Sequence, residues 1–375
     1  MIYLFYILIV IKLIISPLAS KFNNIYIFLP DICLIFFCTI LILKETSLKI
    51  NFLFYLILFQ ILIVITSSVV NDINIINSIQ NILRTLLPLL ILVYLSFNSK
   101  LFLDDDLDRL GIQLCLLVIF LSFYAFINFE PELNKGITLL PSYFGGVHSS
   151  SYILLSSFFI LFAIYQKNKN NLKIKLFYIA YIIFCLYMFV SGWAVRTILL
   201  SFILFYYVDF FSYKINKDPI KSFIFLFVLI LSILTILIAF DFTNLDKLDQ
   251  FSSGRLSMYN EKLILISNFT LKDFFLGKGY GSDLIISQVW WWGKYGTHND
   301  YVTLFYENGI LFMIAFIFLL IKLYKVLSTN IEKNLFIVIL FTSLISNGFF
   351  VRPIAMYIII LSFLILKKNS KKINV

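Results

Sequence analysis

The sequence predicts an all-α, polytopic integral membrane protein that forms a single membrane domain over residues 1–375. Composition supports this first, because 61% of the residues are hydrophobic, only 13% are charged and the mean hydropathy is +0.97. A soluble domain carries about a quarter charged residues, so this apolar excess requires a bilayer. The second observation is that the apolar residues fall into runs of about 20, the length that a helix needs to cross the hydrocarbon.

Twelve apolar runs are long enough to be spans, so we expect about 12 transmembrane helices. The first run lacks a basic N-terminal region and is interrupted by Lys12, and we interpret it as an uncleaved span rather than a signal peptide. The approximate bounds are 2–18, 25–43, 50–70, 82–99, 112–129, 150–166, 173–191, 195–212, 221–240, 301–324, 334–350 and 353–367.

The basic residues of the connections give the orientation. With the N-terminus inside, more than half of the 30 Lys and Arg residues fall in inner connections and in the C-terminal tail, as the positive-inside rule expects. Both termini are therefore predicted to be cytoplasmic. This topology accounts for the net charge of +10 and makes a nucleic-acid partner unnecessary.

The same orientation leaves one long outer connection, residues 241–300. Connections of this length are usually functional. Within it, Leu256, Tyr259, Leu263 and Ile266 recur at helical spacing. We therefore predict an amphipathic helix there, lying along the outer surface of the membrane.

The arginines are not distributed across the membrane as the lysines are. Four of the five map to the outer side or to outer helix ends, against the orientation rule: Arg84, Arg196, Arg255 and Arg352. A guanidinium pairs bidentately with phosphate, so we expect some of them to hold a phosphate-bearing, membrane-anchored substrate. Arg196 and Arg255 are favoured because each follows a glycine-containing turn. For the other two, snorkelling to lipid headgroups remains an open alternative.

A polar segment, THNDYVTLFYENG at 297–309, stands at the start of the tenth predicted span. If the helix includes His298, then His298, Tyr301 and Gly309 share one stripe of it. Gly309 would let another helix approach closely. Glu307 would lie about two turns inside the bilayer, where an ionisable residue suggests a functional or structural role.

His298 has the acidity of a general base near neutral pH, although a helix-start residue bonded to backbone is the alternative interpretation. The other histidine, His148, is interpreted as an ordinary loop residue. Asn299 is expected to orient or cap, and Asp300 to be solvated. His298 and Asp300 are too close in sequence to share a helical face, and no HExxH motif is present, so no metal site is predicted.

Three segments in this order resemble the O-antigen ligase/polymerase superfamily of bacterial inner-membrane enzymes: SGWAVRTILLSFILF, SGRLSMYNEKLILISNFTLKDFFLGKGYGS and THNDYVTLFYENGILFMIAFIFLL. Tyr259 departs from its pattern, which often has Trp there. The positions that match are Arg196, Arg255, Gly277, Gly279, His298, Asn299, Tyr301, Glu307 and Gly309.

The resemblance implies a glycosyltransferase of the GT-C type that uses an undecaprenyl-diphosphate-linked donor, inverts the anomeric carbon and needs no metal or other cofactor. Cationic forks would stabilise the departing diphosphate and a base would activate the incoming hydroxyl. We accordingly expect the catalytic residues to be His298, Arg255 and Arg196. Substrate binding is expected from Asn299, Tyr301, Glu307, Arg84, Arg352 and Tyr259.

Within this superfamily we favour a polymerase, which joins lipid-linked repeat units into O-antigen or a related surface polysaccharide at the periplasmic face, because the chain is short and divergent in composition. A ligase that transfers the glycan to lipid A-core remains open. A lipid-linked oligosaccharide flippase is less favoured, since one long outer loop and no inverted repeat are seen. Expected partners are the glycan donor and acceptor, membrane lipids and a polysaccharide chain-length regulator.

Overall fold

The computed structural model describes residues 2–15, 30–34, 36, 52–98, 106–134, 137–215, 254–286, 293, 295–346 and 348–373. These residues are mostly helical, in agreement with the predicted all-α class. The predicted spans 25–43 and 221–240 lie outside the described residues, except for 30–34 and 36. The number twelve, the GT-C likeness and the extent of the outer loop therefore stay predictions.

The helices are α1 (Ile2–Ile15), α2 (Phe52–Val70), α3 (Ile75–Asn98), α4 (Leu107–Asn128), α5 (Val147–Lys167), α6 (Leu172–Tyr187), α7 (Arg196–Ile215), α8 (Arg255–Ser267), α9 (Leu271–Leu276), α10 (Asp300–Val326), α11 (Asn330–Ile345) and α12 (Pro353–Ile373). A π-helical turn, Met188–Gly192, follows α6. The strands β1 (Glu132–Asn134) and β2 (Ile137–Leu139) form a small antiparallel hairpin between α4 and α5.

Six helices among the described residues are long and apolar enough to span a membrane: α2, α3 over Ile76–Tyr94, α4, α5, α6 with its π turn, and α10. Their burial identifies the centre of the bundle. The apolar window of α5 is 89% buried inside the protein, whereas that of α6 is 28% buried. A helix that is apolar all round and covered on all sides forms the core, so α5 lies at the centre and α6 at the periphery.

Serine side chains make this central position possible. Ser151, Ser156 and Ser157 each donate a hydrogen bond to the carbonyl oxygen four residues earlier, at 2.7–2.9 Å. These hydroxyls are satisfied within their own helix, and their small size lets neighbouring helices approach closely. Helix α5 therefore packs against α4, α6 and α12.

Lys12, which interrupts the first apolar run, is buried and forms an ion pair with Asp31. Tyr357 on α12 donates a second hydrogen bond to Asp31 over 3.0 Å. A buried charge requires a partner, and this pair supplies one. Lys12 thus lies in the packed interior of the protein, on the side of α1 that faces Asp31.

The helix predicted in the outer connection is confirmed as α8. Its side toward the protein differs from the predicted apolar stripe, because Met258 and Lys262 are the buried residues. Leu263, a member of that stripe, is 63% exposed and is available to a surrounding lipid surface. The location of α8 at the membrane surface stays a prediction.

Helix α10 is broken at Gly309, where φ is +75° and ψ is −178°. A loop after α9, residues 277–283, inserts its backbone at the break. The Lys278 amide donates to the Tyr306 carbonyl over 2.9 Å, and the Gly279 amide donates to the Glu307 carbonyl over 2.8 Å. The expectation that Gly309 admits another helix is confirmed for the last turn of α9, because the carbonyl group of Phe275 lies against Gly309, as does the amide nitrogen of Gly277 at the start of the loop.

Candidate functional site

Two histidines and two arginines meet at one end of the bundle. The imidazole rings of His148 and His298 are 6.3 Å apart between centroids. Arg255 and Arg352 lie close enough to interact electrostatically with both rings. The four residues, called the His–Arg cluster below, come from the starts of α5 and α8 and from the turns before α10 and α12.

Each arginine is held by a specific hydrogen bond. Arg255 Nη1 donates to the carbonyl oxygen of Ile345 over 3.0 Å. Arg352 Nη1 donates to Ser149 Oγ over 2.6 Å, and its guanidinium lies 4.8 Å from the centroid of the Tyr152 ring. These contacts fix the direction of both side chains. Both therefore meet the cluster as oriented forks rather than as mobile charges.

The His298 backbone has φ of +53°, a left-handed conformation that is costly for a residue with a side chain. His298 precedes α10, which begins at Asp300, so it does not share the helical stripe of Tyr301 and Gly309. Asn299 caps it as predicted, since Asn299 Oδ1 accepts from the amides of Tyr301 and Val302 at 3.0 and 3.2 Å.

Burial lowers the pKa of His298 to about 4, and the positive charges of Arg255 and Arg352 act in the same direction. At neutral pH the imidazole is therefore uncharged, and an uncharged imidazole has one acceptor nitrogen and one N–H donor. An anion placed between these arginines would offset their effect and raise the pKa of His298. The site is thus arranged so that proton uptake by His298 is favoured when an anion is present.

The residues after His298 hold the turn between α11 and α12. Asp300 is fully buried, and its carboxylate accepts from the amides of Gly348 and Phe350 at 2.6 and 3.1 Å. The expectation that Asp300 is solvated was therefore wrong. Tyr301 donates its hydroxyl to the Leu340 carbonyl over 3.1 Å, which ties α10 to α11.

Arg84 and Glu307 form an ion pair between α3 and α10, with Arg84 Nη2 2.8 Å from Glu307 Oε2. Glu307 Oε1 accepts from the Gly281 amide over 2.9 Å, and the Arg84 guanidinium lies 4.7 Å from the centroid of the Tyr280 ring. These contacts hold the 277–283 loop in the break of α10. They give Arg84 and Glu307 an architectural role, and substrate binding by either residue stays a prediction.

Arg196 is exposed at the start of α7. Thr342 Oγ1 donates to Ser201 Oγ over 2.8 Å, and these residues lie within about two turns of the start of α7 and the end of α11. Arg196 is thus at the same end of the bundle as Ile345, which accepts from Arg255. Its participation in the His–Arg cluster stays a prediction.

Tyr259 follows Arg255 by one turn of α8 and is half-buried. Burial raises the pKa of its hydroxyl, and Arg255 and a hydrogen bond with Asn299 act against that shift. Asn299 also donates its Nδ2 to the Leu344 carbonyl over 2.8 Å. Tyr259 and Asn299 therefore connect the two segments that carry Arg255 and His298, and binding of substrate by them stays a prediction.

Sequence reasoning missed His148, which it interpreted as an ordinary loop residue. The structure places it in the second position of the central helix α5, facing His298. One sequence signal was available, namely the glycine pair Gly145 and Gly146 shortly before His148. In the structure both glycines have positive φ. A glycine pair before a buried helix marks a sharp turn, and such a turn brings the first helical residues to the end of the bundle.

No protein-family model, curated protein or solved structure matches the chain. Fold and site together define a helical protein, embedded in a membrane, with a polar cluster at one end of its bundle. Among the described residues, no group of three or more His, Cys, Asp and Glu side chains is placed to hold a metal ion. The chemistry that this cluster offers is anion binding by guanidinium groups beside an uncharged imidazole.

Proposed function

We propose that this chain is a membrane glycosyltransferase that polymerises undecaprenyl-diphosphate-linked oligosaccharide units into O-antigen or a related surface polysaccharide. One observation carries the proposal: the His–Arg cluster brings an uncharged imidazole to two oriented guanidinium groups at one end of a membrane-embedded bundle. The polymer-forming reaction needs both groups at once. The lipid tail of such a substrate requires a site within reach of the bilayer.

The reaction assigns a task to each group. An acceptor hydroxyl attacks the anomeric carbon of the donor glycan, and His298 takes the hydroxyl proton as the new carbon–oxygen bond forms. The bond between the anomeric carbon and the diphosphate oxygen breaks, and the diphosphate leaves with the electron pair. Arg255 and Arg352 neutralise the charge that develops on it. Attack from the face opposite the leaving group inverts the anomeric configuration.

Two further residues complete this proposal. The ring of His148 lies 6.3 Å from that of His298, and in this proposal it bonds a diphosphate oxygen or a sugar hydroxyl. Arg196 lies at the same end of the bundle and would supply a third cation to the leaving group. Both additions are consistent with an anionic substrate, because each adds a donor to the same region.

An elongation assay tests the proposal. The purified full chain, reconstituted in nanodiscs with lipid-linked oligosaccharide, should convert single repeats into a ladder on a gel. We expect His298→Ala to abolish the ladder and Arg255→Lys to reduce elongation about 100-fold, because charge alone does not restore the fork. Arg109→Lys, on the exposed surface of α4, is the matched control and should elongate normally. Elongation by His298→Ala at the wild-type rate would contradict the proposal.

Deletion of the gene separates the alternatives in the cell. Loss of the lipopolysaccharide ladder with core plus one repeat retained supports the polymerase. Loss of every repeat from the core, with long glycan still on the lipid carrier, supports the ligase instead. Accumulation of single repeats on the cytoplasmic side supports a flippase, a function that needs no general base.

A further inference from the structure

A buried ion pair lies beside the turn that carries His298. Lys262 on α8 and Asp283 at the end of the 277–283 loop have side chains only 1% and 2% exposed. Lys262 Nζ is 3.1 Å from Asp283 Oδ1 and donates to the Asp283 carbonyl oxygen over 2.7 Å. The ammonium also lies 4.0 Å from the centroid of the Tyr306 ring. The pair therefore joins α8, the loop and α10 at one point.

The second carboxylate oxygen of Asp283 binds both sides of the His298 turn. Asp283 Oδ2 accepts from the Thr297 amide over 3.0 Å and from Thr303 Oγ1 over 2.8 Å. Thr297 precedes His298 directly, and Thr303 lies in the first turn of α10. A non-glycine residue with positive φ persists where surrounding contacts over-determine it. These two hydrogen bonds are contacts of that kind.

The Lys262–Asp283 ion pair is not explained by a contribution to the stability of the fold. Removing two charges from water costs more free energy than a buried pair commonly returns, and apolar replacements of similar volume are often neutral or stabilising. The geometry supplies another reason. Lys262 follows Arg255 by seven residues on α8, so both project from the same face of one helix. A contact that fixes Lys262 against Asp283 also fixes the distance between Arg255 and His298.

We propose that Asp283, held in place by Lys262, is a positioning residue that sets the His298 turn in register with Arg255. Asp283 is not a member of the His–Arg cluster, and it acts through its hydrogen bonds to Thr297 and Thr303. The functional meaning of this inference rests on the proposed function, in which His298 is the base. Its structural content does not, because the position of His298 is measurable without turnover.

The chain offers a direct probe, since it contains only two histidines. Histidine labelled with ¹³C at Cε1 gives two imidazole signals in the full-length protein, and His148→Gln assigns them. Two double variants isolate the acceptor: Lys262→Met/Asp283→Asn and Lys262→Met/Asp283→Leu. Both lack the buried charges, so neither leaves a charge unpaired, and only the first retains an oxygen for Thr297 and Thr303.

We expect the asparagine variant to keep the wild-type His298 signal, with its titration midpoint near 4, and to retain elongation within about tenfold. The leucine variant should unfold at a similar temperature, while its His298 midpoint moves toward the ordinary value of about 6.5 and elongation falls about 100-fold. Asp273→Ala, which removes a helix-capping carboxylate of the same loop region, is the control and should leave the His298 signal unchanged.

Identical His298 signals in the two double variants would overturn the inference, whatever their activities. Failure of the leucine variant to fold while the asparagine variant folds would also count against it, since the role would then be purely structural. If the signals differ as expected but His298→Ala still elongates glycan, the proposed function fails and the positioning role stands. If His298→Ala is inactive and the signals agree, only the positioning role fails.

Discussion

Replacement of Gly309 by alanine should destabilise the protein by closing the break in α10. Gly309 has φ of +75° and ψ of −178°, a conformation open in practice only to glycine. A Cβ at this position would overlap the carbonyl oxygen of Phe275 and lie 2.6 Å from the Gly277 amide nitrogen. Both are backbone atoms, which cannot rotate away, so the last turn of α9 and the start of the 277–283 loop would have to move away from the break.

Two contributions set the magnitude. Backbone strain at positive φ costs about 1–3 kcal/mol, and an added methyl group in a filled space costs about 1–3 kcal/mol more. We therefore expect Gly309→Ala to lower the free energy of unfolding by about 2–6 kcal/mol. Gly281 is the matched control, because its φ is +81° but nothing lies within 4 Å of its Cβ position. Gly281→Ala should carry the strain alone, about 1–3 kcal/mol.

The assay is SDS titration of both purified variants in mixed micelles, with helix content as the readout. The difference between the two variants isolates the steric contribution of the end of α9 and of Gly277. If Gly309→Ala is no more destabilising than Gly281→Ala, the close approach of Phe275 and Gly277 to the break is refuted.

Three other predictions follow from the same contacts. Arg84→Leu should lower the free energy of unfolding by about 3–5 kcal/mol in the same SDS titration, because Glu307 is left buried without its cation. The Arg84→Leu/Glu307→Leu double variant should recover most of that stability. If the single and double variants lose the same stability, the pairing is contradicted. Because the pKa of His298 is lowered to about 4, the imidazole stays uncharged above that pH, so kcat/KM for elongation should be level from about pH 7 to about pH 5 and fall about tenfold per unit below about pH 4. If kcat/KM already falls near about pH 6.5, the pKa of His298 is not lowered and the reasoning is refuted. Arg352→Lys should reduce elongation about 100-fold while Arg109→Lys has no effect, and a normal rate for Arg352→Lys would remove this arginine from the site.

Sequence reasoning was sound where the signal is local and failed where the partner is distant. The helix α8 follows from the spacing of apolar residues, and the cap by Asn299 follows from the preference of asparagine for helix starts. Glu307 and Asp300 could be noticed as polar residues in an apolar region but could not be explained. The partner of Glu307 is Arg84, 223 positions away, and no periodic pattern encodes a pairing of that kind.

The prediction of a continuous helix α10 failed for a related reason. Its apolar period runs through Gly309 without interruption, and a period alone predicts a continuous helix. The break exists because the backbone of another segment supplies hydrogen bonds to the Tyr306 and Glu307 carbonyls. A glycine permits such a break but does not predict it, because a glycine in a membrane helix is also typical of close packing between two helices. In the structure both occur at Gly309, because the last turn of α9 packs against the break.

The polar residues around His298 acquire a common purpose from this arrangement. Asn299 bonds the Leu344 carbonyl, one residue before the carbonyl that holds Arg255. Asp300 bonds the turn at 348–350, two residues before Arg352. Each neighbour of the histidine therefore fixes a segment on which the position of one arginine depends. A dense polar segment at the start of a membrane helix is explained if its task is to assemble cations from separate segments around one imidazole. Substitution at Asp300 should accordingly disturb anion binding at the cluster through the position of Arg352.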